Sequence, residues 1–483
     1  MHRSKNNSIK KTLLILIICV VILLLVLIFS LILAHSRQKK TVMLDNTKSE
    51  NIIHTNNSEQ TDSSKPISSK VESKTTETAE GIVISSEESS INMSETEIST
   101  ETNLELPFIE KMAFVPDEFE KVQNYFGSLP EIKQNHTFEH TKIKAIYLSD
   151  VDYLDSYLEM VKGTEVNTFI IDAKESYGIL YESQISLAKE LNAIIEHRDL
   201  ENIFERCHNQ GIRVIARIVC FKDSTLESIR PDLTISTKNN VPIEYPLEGY
   251  QTFANPYDQR VWQYLIDIAN EVIDLGADEI QFDYVRFPSG EPAEGTVPYF
   301  GEPDEVPQKY SAINRFLQTA VIEIQENKNT PVGADLFSIV MTSELDGKAI
   351  GQFWNFIGLS GIDNLCPMIY PSHYANASVG GILGNGEGSM IGNNLYEAPD
   401  LEPYNVVMDA FVDGMPAIQQ EGYAHIRPYL QAFTADYLLE GYYKEYTSEE
   451  IHEQIQAVYD SGLEEWVLWN VQLEYPKGTF LAD

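Results

Sequence analysis

Cysteine and histidine are scarce in this chain. Of its 483 residues, only four are cysteine and ten are histidine. Cys19 falls in an apolar run near the start, and the other three cysteines have no metal-type spacing, so neither a disulfide framework nor a zinc site is predicted. Cys220 and Cys366 lie in apolar runs and are predicted to be core residues. We therefore expect no metal and no other cofactor.

Aromatic residues are missing from residues 41–106, where Ser, Thr and Glu dominate the composition. Such a segment cannot bury enough apolar surface to offset the entropy that ordering costs. We therefore predict that residues 35–106 form a disordered stalk. A flexible stalk of this kind is typical of a protein that holds its folded domain away from a membrane.

Charge is missing from residues 13–34, which also contain no Gly or Pro. A helix of these 22 residues spans about 33 Å, enough to cross the hydrocarbon core of a bilayer. A cleavable signal peptide is the alternative, but its apolar region is usually only about 7–15 residues long. We predict that residues 1–12 are a cytoplasmic tail and that residues 13–34 are a single-pass anchor in the cell membrane. Residues 107–483 are then one domain outside the cytoplasm.

Basic residues are far fewer than acidic ones. The chain has 35 Lys and Arg against 73 Asp and Glu, which gives a formal net charge of −38. The first 40 residues are basic and the stalk is only mildly acidic, so residues 107–483 carry most of the negative excess. A domain this acidic is a poor match for nucleic acid, and a neutral or cationic substrate is easier to accommodate.

A Gly-x-Gly-x-x-Gly motif does not follow the first predicted strand, which argues against a dinucleotide-binding fold. Apolar, β-branched runs instead alternate with stretches of helical periodicity. The eight runs are residues 143–149, 167–173, 212–221, 278–285, 331–337, 363–370, 426–433 and 465–471. Near-continuous apolar strands between helices indicate a parallel sheet covered on both faces, and eight such units predict a (β/α)8 TIM barrel. Few residues follow the eighth strand, so we expect residues 116–126 to take the place of the last helix.

Ionisable and amide side chains end several of these strands. Burying an unpaired charge costs several kcal/mol, so such residues need partners or a function, and barrel chemistry occurs at the carboxyl ends of the strands. Alternation places Asp172 and Lys174 on one face of strand 2. The candidate site residues are Asp172, Lys174, Glu175, Arg217, Asp223, Asp283, Tyr284, Arg286, Asp335, Tyr370, Gln431, Trp469 and Asn470. The alternative is that these residues have no catalytic role and form an ion-pair network that only stabilises the fold.

Two carboxyl groups are what glycosidic cleavage requires. One is protonated and assists the leaving group, and the other is ionised and acts as nucleophile or base. Asp283 and Asp335, on neighbouring strands 4 and 5, are the predicted pair, and Asp172 or Glu175 could replace either. Arg217 beside Asp283 would keep that carboxylate ionised.

The ten residues 279–288, EIQFDYVRFP, resemble the hallmark of a bacterial glycoside hydrolase-like family that is described largely as a domain of unknown function. Weaker matches lie at residues 146–149, 172–178, 216–223 and 255–257, and the resemblance covers about residues 140–475. It implies an amylase-like (β/α)8 barrel and a carbohydrate substrate, with Asp283 at the position of the amylase nucleophile. The acid/base residue on strand 5 of amylase-like enzymes is usually Glu, whereas this chain offers Asp335.

The pattern as a whole favours a cell-surface glycoside hydrolase that acts on a wall or extracellular polysaccharide. The rings of Tyr284, Tyr370 and Trp469 would offer faces on which sugars stack, although they are equally plausible as packing. A catalytically silent barrel that binds glycan as a surface scaffold is the alternative. A metal-dependent sugar deacetylase is disfavoured because the histidines of the domain, including His373 and His425, are scattered.

Overall fold

The computed structural model describes residues 112–129, 131–133 and 136–482. At its centre eight parallel strands form a closed barrel, in which each strand pairs with the next and the last pairs with the first. The strands are β1 Lys144–Leu148, β2 Thr168–Glu175, β3 Arg213–Val219, β4 Glu279–Asp283, β5 Val332–Phe337, β6 Asn364–Ile369, β7 Tyr429–Gln431 and β8 Trp466–Trp469. The predicted eight-stranded barrel is therefore confirmed.

In the described part of the chain, five short strands lie outside this barrel order. Gly178–Tyr181 pairs antiparallel with the end of β2, and Ile194–Arg198 pairs with it in turn. His425–Ile426 pairs with β6 just before β7, and Ser389–Ile391 forms a hairpin with Asn394–Tyr396 in the loop after β6. Four of the five were not predicted from the sequence, because strands this short have little periodicity, and the fifth, His425–Ile426, was merged with β7 in the predicted run 426–433.

Helices surround the barrel. They are α1 Pro116–Phe126, α2 Leu154–Val161, α3 Ser186–Glu190, α4 Leu200–His208, α5 Gln259–Asp274, α6 Lys309–Ala320, α7 Ile339–Thr342, α8 Glu344–Ile350, α9 Trp354–Ile357, α10 Pro403–Ile418 and α11 Ser448–Asp460. A π-helical turn, Val321–Glu326, extends α6. Helix α11 begins with a capping box, in which the Thr447 N–H donates to Glu450 Oε2 at 2.9 Å.

Helix α1 does not take the place of an eighth barrel helix, so that expectation was wrong. It packs beside α5 and α6: Glu118 Oε1 accepts the Gln308 N–H at 2.6 Å, and the Phe126 ring lies 4.9 Å from that of Trp262. Its apolar face finds aromatic partners there, which fixes its position. The C-terminal segment instead returns to the end of α2, where Ala482 pairs with Thr164.

The hydrophobic core has two parts, and strand alternation decides which residues enter each. Ile171 belongs to the large cluster between the barrel and the helices, whereas Ile170 belongs to a smaller cluster inside the barrel. Cys366 lies in the inner cluster and Cys220 in the outer one, as predicted for core residues. Cys207, Cys220 and Cys366 are all buried free thiols.

A buried ion network closes the amino-terminal end of the barrel. The Arg427 guanidinium donates to Glu279 at 2.7 Å and to Glu465 at 2.9 Å, and Glu465 also contacts His140 at 2.6 Å. Gly333 leaves room for this network, because a Cβ there would lie 3.3 Å from Glu279 Oε1. With this end filled, the opposite end of the barrel is the one that can admit a ligand.

The predicted tail, anchor and stalk, residues 1–106, lie outside the described residues, so these assignments stay predictions. Among the described residues, no helix is both long and apolar enough to cross a membrane.

Candidate active site

Arg217 of β3 gathers three carboxyl groups at the carboxyl end of the barrel. Its guanidinium donates to Asp283 Oδ2 from Nη2 at 2.5 Å and from Nε at 2.9 Å. It also donates to Asp172 Oδ1 at 2.7 Å and to Glu175 Oε1 at 3.0 Å. Strand register causes this meeting, because Arg217 lies directly between Asp172 of β2 and Gln281 of β4. The Tyr147 hydroxyl of β1 donates to the other oxygen of Asp172 at 2.5 Å.

A bulge in β2 separates Lys174 from this cluster. The register shifts between Asp172, which lies opposite Arg217, and Lys174, which lies opposite Ile218. The expectation that Lys174 shares the inward face of Asp172 was therefore wrong. Lys174 points outward into a fully buried ion pair with Asp223 at 2.9 Å and donates to the Val219 carbonyl at 2.9 Å. The same shift turns Glu175 inward.

Asp283 and Asp335, the predicted catalytic pair, line one small pocket together with Tyr284, Arg286, Leu336, Phe337, Gln352 and Met368. The pocket is narrow: Asp283 is 4% exposed and Asp335 is 1% exposed. Asp335 Oδ1 accepts the side-chain amide of Gln281, while its Oδ2 has no hydrogen-bond partner among the described residues. Burial, and then the charge of Asp283, raise the pKa of Asp335 well above its usual range.

Glu175 differs from its neighbours in exposure. Its side chain is 16% exposed, against 4% for Asp172 and 6% for Asp283. Burial raises the pKa of Glu175 to about 7, although the positive charge of Arg217 opposes the rise. A carboxyl group with such a pKa can both give and take a proton near neutral pH.

Tyr284 stands in a strained conformation directly after β4, with φ at +48°. Such strain persists only where the surroundings hold it, and here Lys222 and Arg286 lie 4.7 and 4.9 Å from its ring centroid. Arg286 is committed to a buried pair with Glu248 at 2.8 Å, and Lys222 lies 3.2 Å from the same carboxylate. Burial alone would raise the pKa of Glu248, but Arg286 and Lys222 lower it to about 2. This cluster ties the loop after β3 to the end of β4.

Aromatic rings form one wall of the site. The Trp469 ring stacks on Tyr370 with 5.7 Å between centroids and on Tyr147 at 6.4 Å. Phe433 meets Trp469 edge-on at 5.2 Å. The structure thus joins the predicted Tyr370 and Trp469 to Tyr147, which contacts Asp172. The sequence analysis missed Tyr147 and Phe433, although Tyr147 lies on an inward position of β1.

Three candidate residues hold loops and lie apart from the Arg217 cluster. Asp223 pairs with Lys174. Gln431 donates to Asp400 at 2.8 Å and accepts the Ser372 N–H at 3.0 Å, and Asn470 donates to the Ala432 carbonyl at 2.7 Å. Each is buried and fully engaged in these contacts. They support the rim of the barrel.

Gln352 is a pocket residue that was not predicted from the sequence. It follows α8, in the connection after β5, and donates to the Asp335 carbonyl at 3.2 Å. Its Oε1 accepts the Phe337 N–H at 3.2 Å, which fixes the end of β5. No motif or periodicity marks this position.

A metal centre has no ligand set in the described part of the chain, where no group of three or more His, Cys, Asp and Glu could hold an ion. His136 and His140 do have the i, i+4 spacing of some metal ligands. However, the His136 ring stacks on Phe138, and His140 binds Glu465 at the closed end of the barrel.

Comparison with known proteins shows the family. A sequence model described as "Putative glycosyl hydrolase domain" matches residues 143–475. A comparison with curated proteins finds no match. Similar solved structures include a hypothetical protein from Ruminiclostridium thermocellum ATCC 27405, with 30% identity, a TM-score of 0.34 and coverage of 39% of this chain and 96% of that one.

Two further structures carry glycoside hydrolase names. The PgaB (BpsB) glycoside hydrolase domain from Bordetella bronchiseptica has 15% identity and a TM-score of 0.46, with 69% of this chain and 94% of that one covered. The α-galactosidase TtGalA from Thermus thermophilus has 12% identity and a TM-score of 0.39, with 74% and 63% covered. Because the family model spans most of the chain and nearly the whole barrel, the chain belongs to the family described as "Putative glycosyl hydrolase domain".

Proposed function

We propose that this protein is a cell-surface glycoside hydrolase that cleaves a wall or extracellular polysaccharide at the carboxyl end of its barrel. One observation carries the proposal: Asp283 and Asp335, on neighbouring strands, line one pocket in opposite electrostatic surroundings. Arg217 balances the charge of Asp283, whereas burial raises the pKa of Asp335. Glu175, on the other side of Arg217, also has a raised pKa, so a carboxylate paired with a cation lies close to two carboxyl groups that burial pushes toward the protonated form. Glycosidic cleavage requires one ionised and one protonated carboxyl group.

In this mechanism Asp283 is the ionised carboxylate. It either attacks the anomeric carbon or takes a proton from the attacking water, while a second carboxyl group protonates the departing sugar oxygen. The sequence prediction gives the second role to Asp335. The two stereochemical courses differ in the separation of the carboxyl groups, which is about 5–5.5 Å in retaining enzymes and about 6.5–9.5 Å in inverting ones.

The substrate we propose is a neutral or cationic glycan. The domain is strongly acidic, and the carboxyl groups at Arg217 outnumber its single positive charge. The stacked rings of Tyr370 and Trp469 support a carbohydrate, because sugar rings pack on aromatic faces. The location at the cell surface rests on the predicted anchor and stalk.

A catalytically silent glycan-binding scaffold is the second candidate, and one observation favours it. The two catalytic candidates are only 4% and 1% exposed, so the loops at the rim have to open before a sugar can reach them. A scaffold would bind glycan at the aromatic wall and leave the carboxyl groups sealed.

Incubation of the protein with purified wall glycans, followed by a reducing-end assay, separates the two candidates. We expect new reducing ends from the parent and none from Asp283→Asn. The control Asp267→Asn makes the same change on the exposed face of α5 and should cleave like the parent. Glycan binding by the parent without any new reducing ends would favour the scaffold.

A further inference from the structure

We infer that Glu175 is the proton donor to the departing sugar oxygen, a role that rests on the proposed hydrolase function. Asp335 is the acid that the sequence pattern predicts first. Three features of the structure favour Glu175: its fixed position at the rim, its connection to Asp283 through Arg217, and its access to solvent.

Backbone geometry fixes the position of Glu175. The bulge in β2 turns its side chain toward the barrel axis, and the strand then reverses so that Glu175 pairs antiparallel with Gly178. Gly178 has φ of +150°, and a Cβ there would lie 2.5 Å from the Ala193 carbonyl oxygen. A tight turn that tolerates no side chain at Gly178 therefore follows Glu175 immediately. Functional groups held in this way lose little freedom when a substrate binds.

Arg217 sets the distance between Glu175 and Asp283. The two carboxyl groups bind different terminal nitrogens of its guanidinium, at 3.0 Å for Glu175 Oε1 and 2.5 Å for Asp283 Oδ2. The nearest oxygens of the two groups are therefore at most about 8 Å apart, which is below the upper limit of about 9.5 Å that glycosidases use for their paired carboxyl groups.

Solvent access separates Glu175 from Asp335. The Glu175 side chain is 16% exposed at the rim, whereas Asp335 is 1% exposed and binds Gln281 deeper in the barrel. A general acid has to reach the glycosidic oxygen and has to recover its proton from water in every turnover. Of the two groups, Glu175 is the one that solvent already reaches.

The charges around Glu175 favour a proton on this group. The ionisable groups that surround it are Asp172 of β2, Arg217 of β3, Asp283 of β4, Tyr147 of β1 and Tyr177 of the following turn. One cation thus faces three carboxyl groups, and the most exposed of them is the one that can exchange a proton with solvent. The pKa of Glu175, raised by burial to about 7, agrees with that placement.

The proposed step conserves atoms and charge. The Glu175 carboxyl proton moves to the glycosidic oxygen as the bond from that oxygen to the anomeric carbon breaks, and the bonding electron pair stays on the oxygen. One water then supplies the hydroxyl for the anomeric carbon, and its remaining proton restores Glu175 directly or through solvent. The net reaction is hydrolysis, with Asp283 serving as nucleophile or base.

The test compares kcat/KM of the parent and Glu175→Gln on two substrates. One is the wall glycan that the parent cleaves, and the other is the 4-nitrophenyl glycoside of the sugar that it releases. We expect the variant to lose about 10²–10⁴-fold on the glycan, the contribution of a positioned acid. The loss on the nitrophenyl glycoside should be below about tenfold, because nitrophenolate leaves without a proton.

Three further variants make the result specific. Glu205→Gln, on the exposed face of α4, should match the parent on both substrates. Glu175→Asp keeps a carboxyl group on a shorter side chain and should recover part of the activity on the glycan. If Glu175→Gln does not fold, Glu175→Asp replaces it in the test, and a larger loss of kcat/KM on the glycan than on the nitrophenyl glycoside supports the role of Glu175. Asp335→Asn should lower kcat/KM on both substrates by the same factor, since Asp335 is not the acid in this proposal.

The pH dependence of the parent is a further test. The parent should lose activity on the glycan as pH rises through about 7, and Glu175→Gln should lack this dependence.

The outcomes separate this role from the proposed function. Full glycan activity of Glu175→Gln, or an equal loss on both substrates, overturns the role of Glu175. If Glu175→Gln gives one of these results while Asp283→Asn is inactive on both substrates, the protein is still a hydrolase, but Glu175 is not its acid. A parent that cleaves neither glycans nor nitrophenyl glycosides overturns both.

Discussion

Removal of the Arg217 guanidinium should destabilise the whole barrel. In Arg217→Met the apolar chain keeps a similar length, so little space is vacated, but three carboxyl groups lose their shared cation. Breaking a buried ion pair from one side costs about 3–5 kcal/mol, because the remaining charge stays buried without a partner. We expect a loss of that size in the free energy of unfolding at pH 7, measured by urea denaturation.

The loss should depend on pH in a defined direction. Glu175 has a folded pKa of about 7, above that of an unfolded chain, so its contribution to the free energy of unfolding falls as pH rises from about 4 to about 7 and levels off above that. Without Arg217 this penalty grows, and protonation at lower pH relieves it. The part of the difference between variant and parent that Glu175 causes should therefore be small below about pH 6 and grow as pH rises from about 6 to about 8.

A matched control is available on the surface. Arg206 pairs with Asp155 at 2.5 Å, but its side chain is 38% exposed, so Arg206→Met should cost less than about 1 kcal/mol. If Arg217→Met unfolds at the same urea concentration as Arg206→Met, the three contacts contribute no net stability. The argument from buried charge would then be refuted.

Three further predictions follow from the same contacts. Asp283→Asn should keep the melting temperature within a few degrees and lower glycan turnover by about 10³-fold or more, as measured by reducing ends, since an amide can serve neither as nucleophile nor as base. Lys174→Met leaves Asp223 buried without its cation and should lower the unfolding free energy by about 3–5 kcal/mol, although Lys174 lies outside the pocket. Limited proteolysis of the full chain should cut within residues 35–106 and leave a resistant core, whereas stable fragments broken near residue 200 or 300 would mean two domains.

The barrel could be predicted from the sequence because its strands are apolar on both faces. In runs such as residues 167–173, apolar residues occupy both faces of the strand, which indicates a buried parallel sheet. The observed strand Thr168–Glu175 agrees with that predicted run to within two residues at each end. The least accurate prediction was the run 426–433. It divides into His425–Ile426, paired with β6, and Tyr429–Gln431, paired with both β6 and β8. Pro428 has no N–H to donate and lies at this break.

The candidate site was predictable where simple alternation held. Asp283 and Arg217 stand inward as the strand period requires. The bulge in β2 could not be read from the residues, because it depends on how backbone hydrogen bonds shift between two strands. That one shift moved Lys174 out of the cluster and brought Glu175 in. Gln352 was equally hidden, since its role depends on a loop that returns to β5.

A comparison of the two ends of the barrel favours chemistry over architecture at Arg217. At the closed end Arg427 faces Glu279 and Glu465, and a hydrogen bond to Glu465 raises the pKa of His140, which favours a second positive charge. Two carboxylates there meet two potential cations, which is the balance that a structural network requires. At the open end Arg217 faces three carboxyl groups, and Arg286, which also pairs with Glu248, adds a second positive charge near Asp283, so negative charges still outnumber positive ones around Arg217. Such an imbalance favours a proton on one of the carboxyl groups, which is the state that an acid has to regain in each turnover.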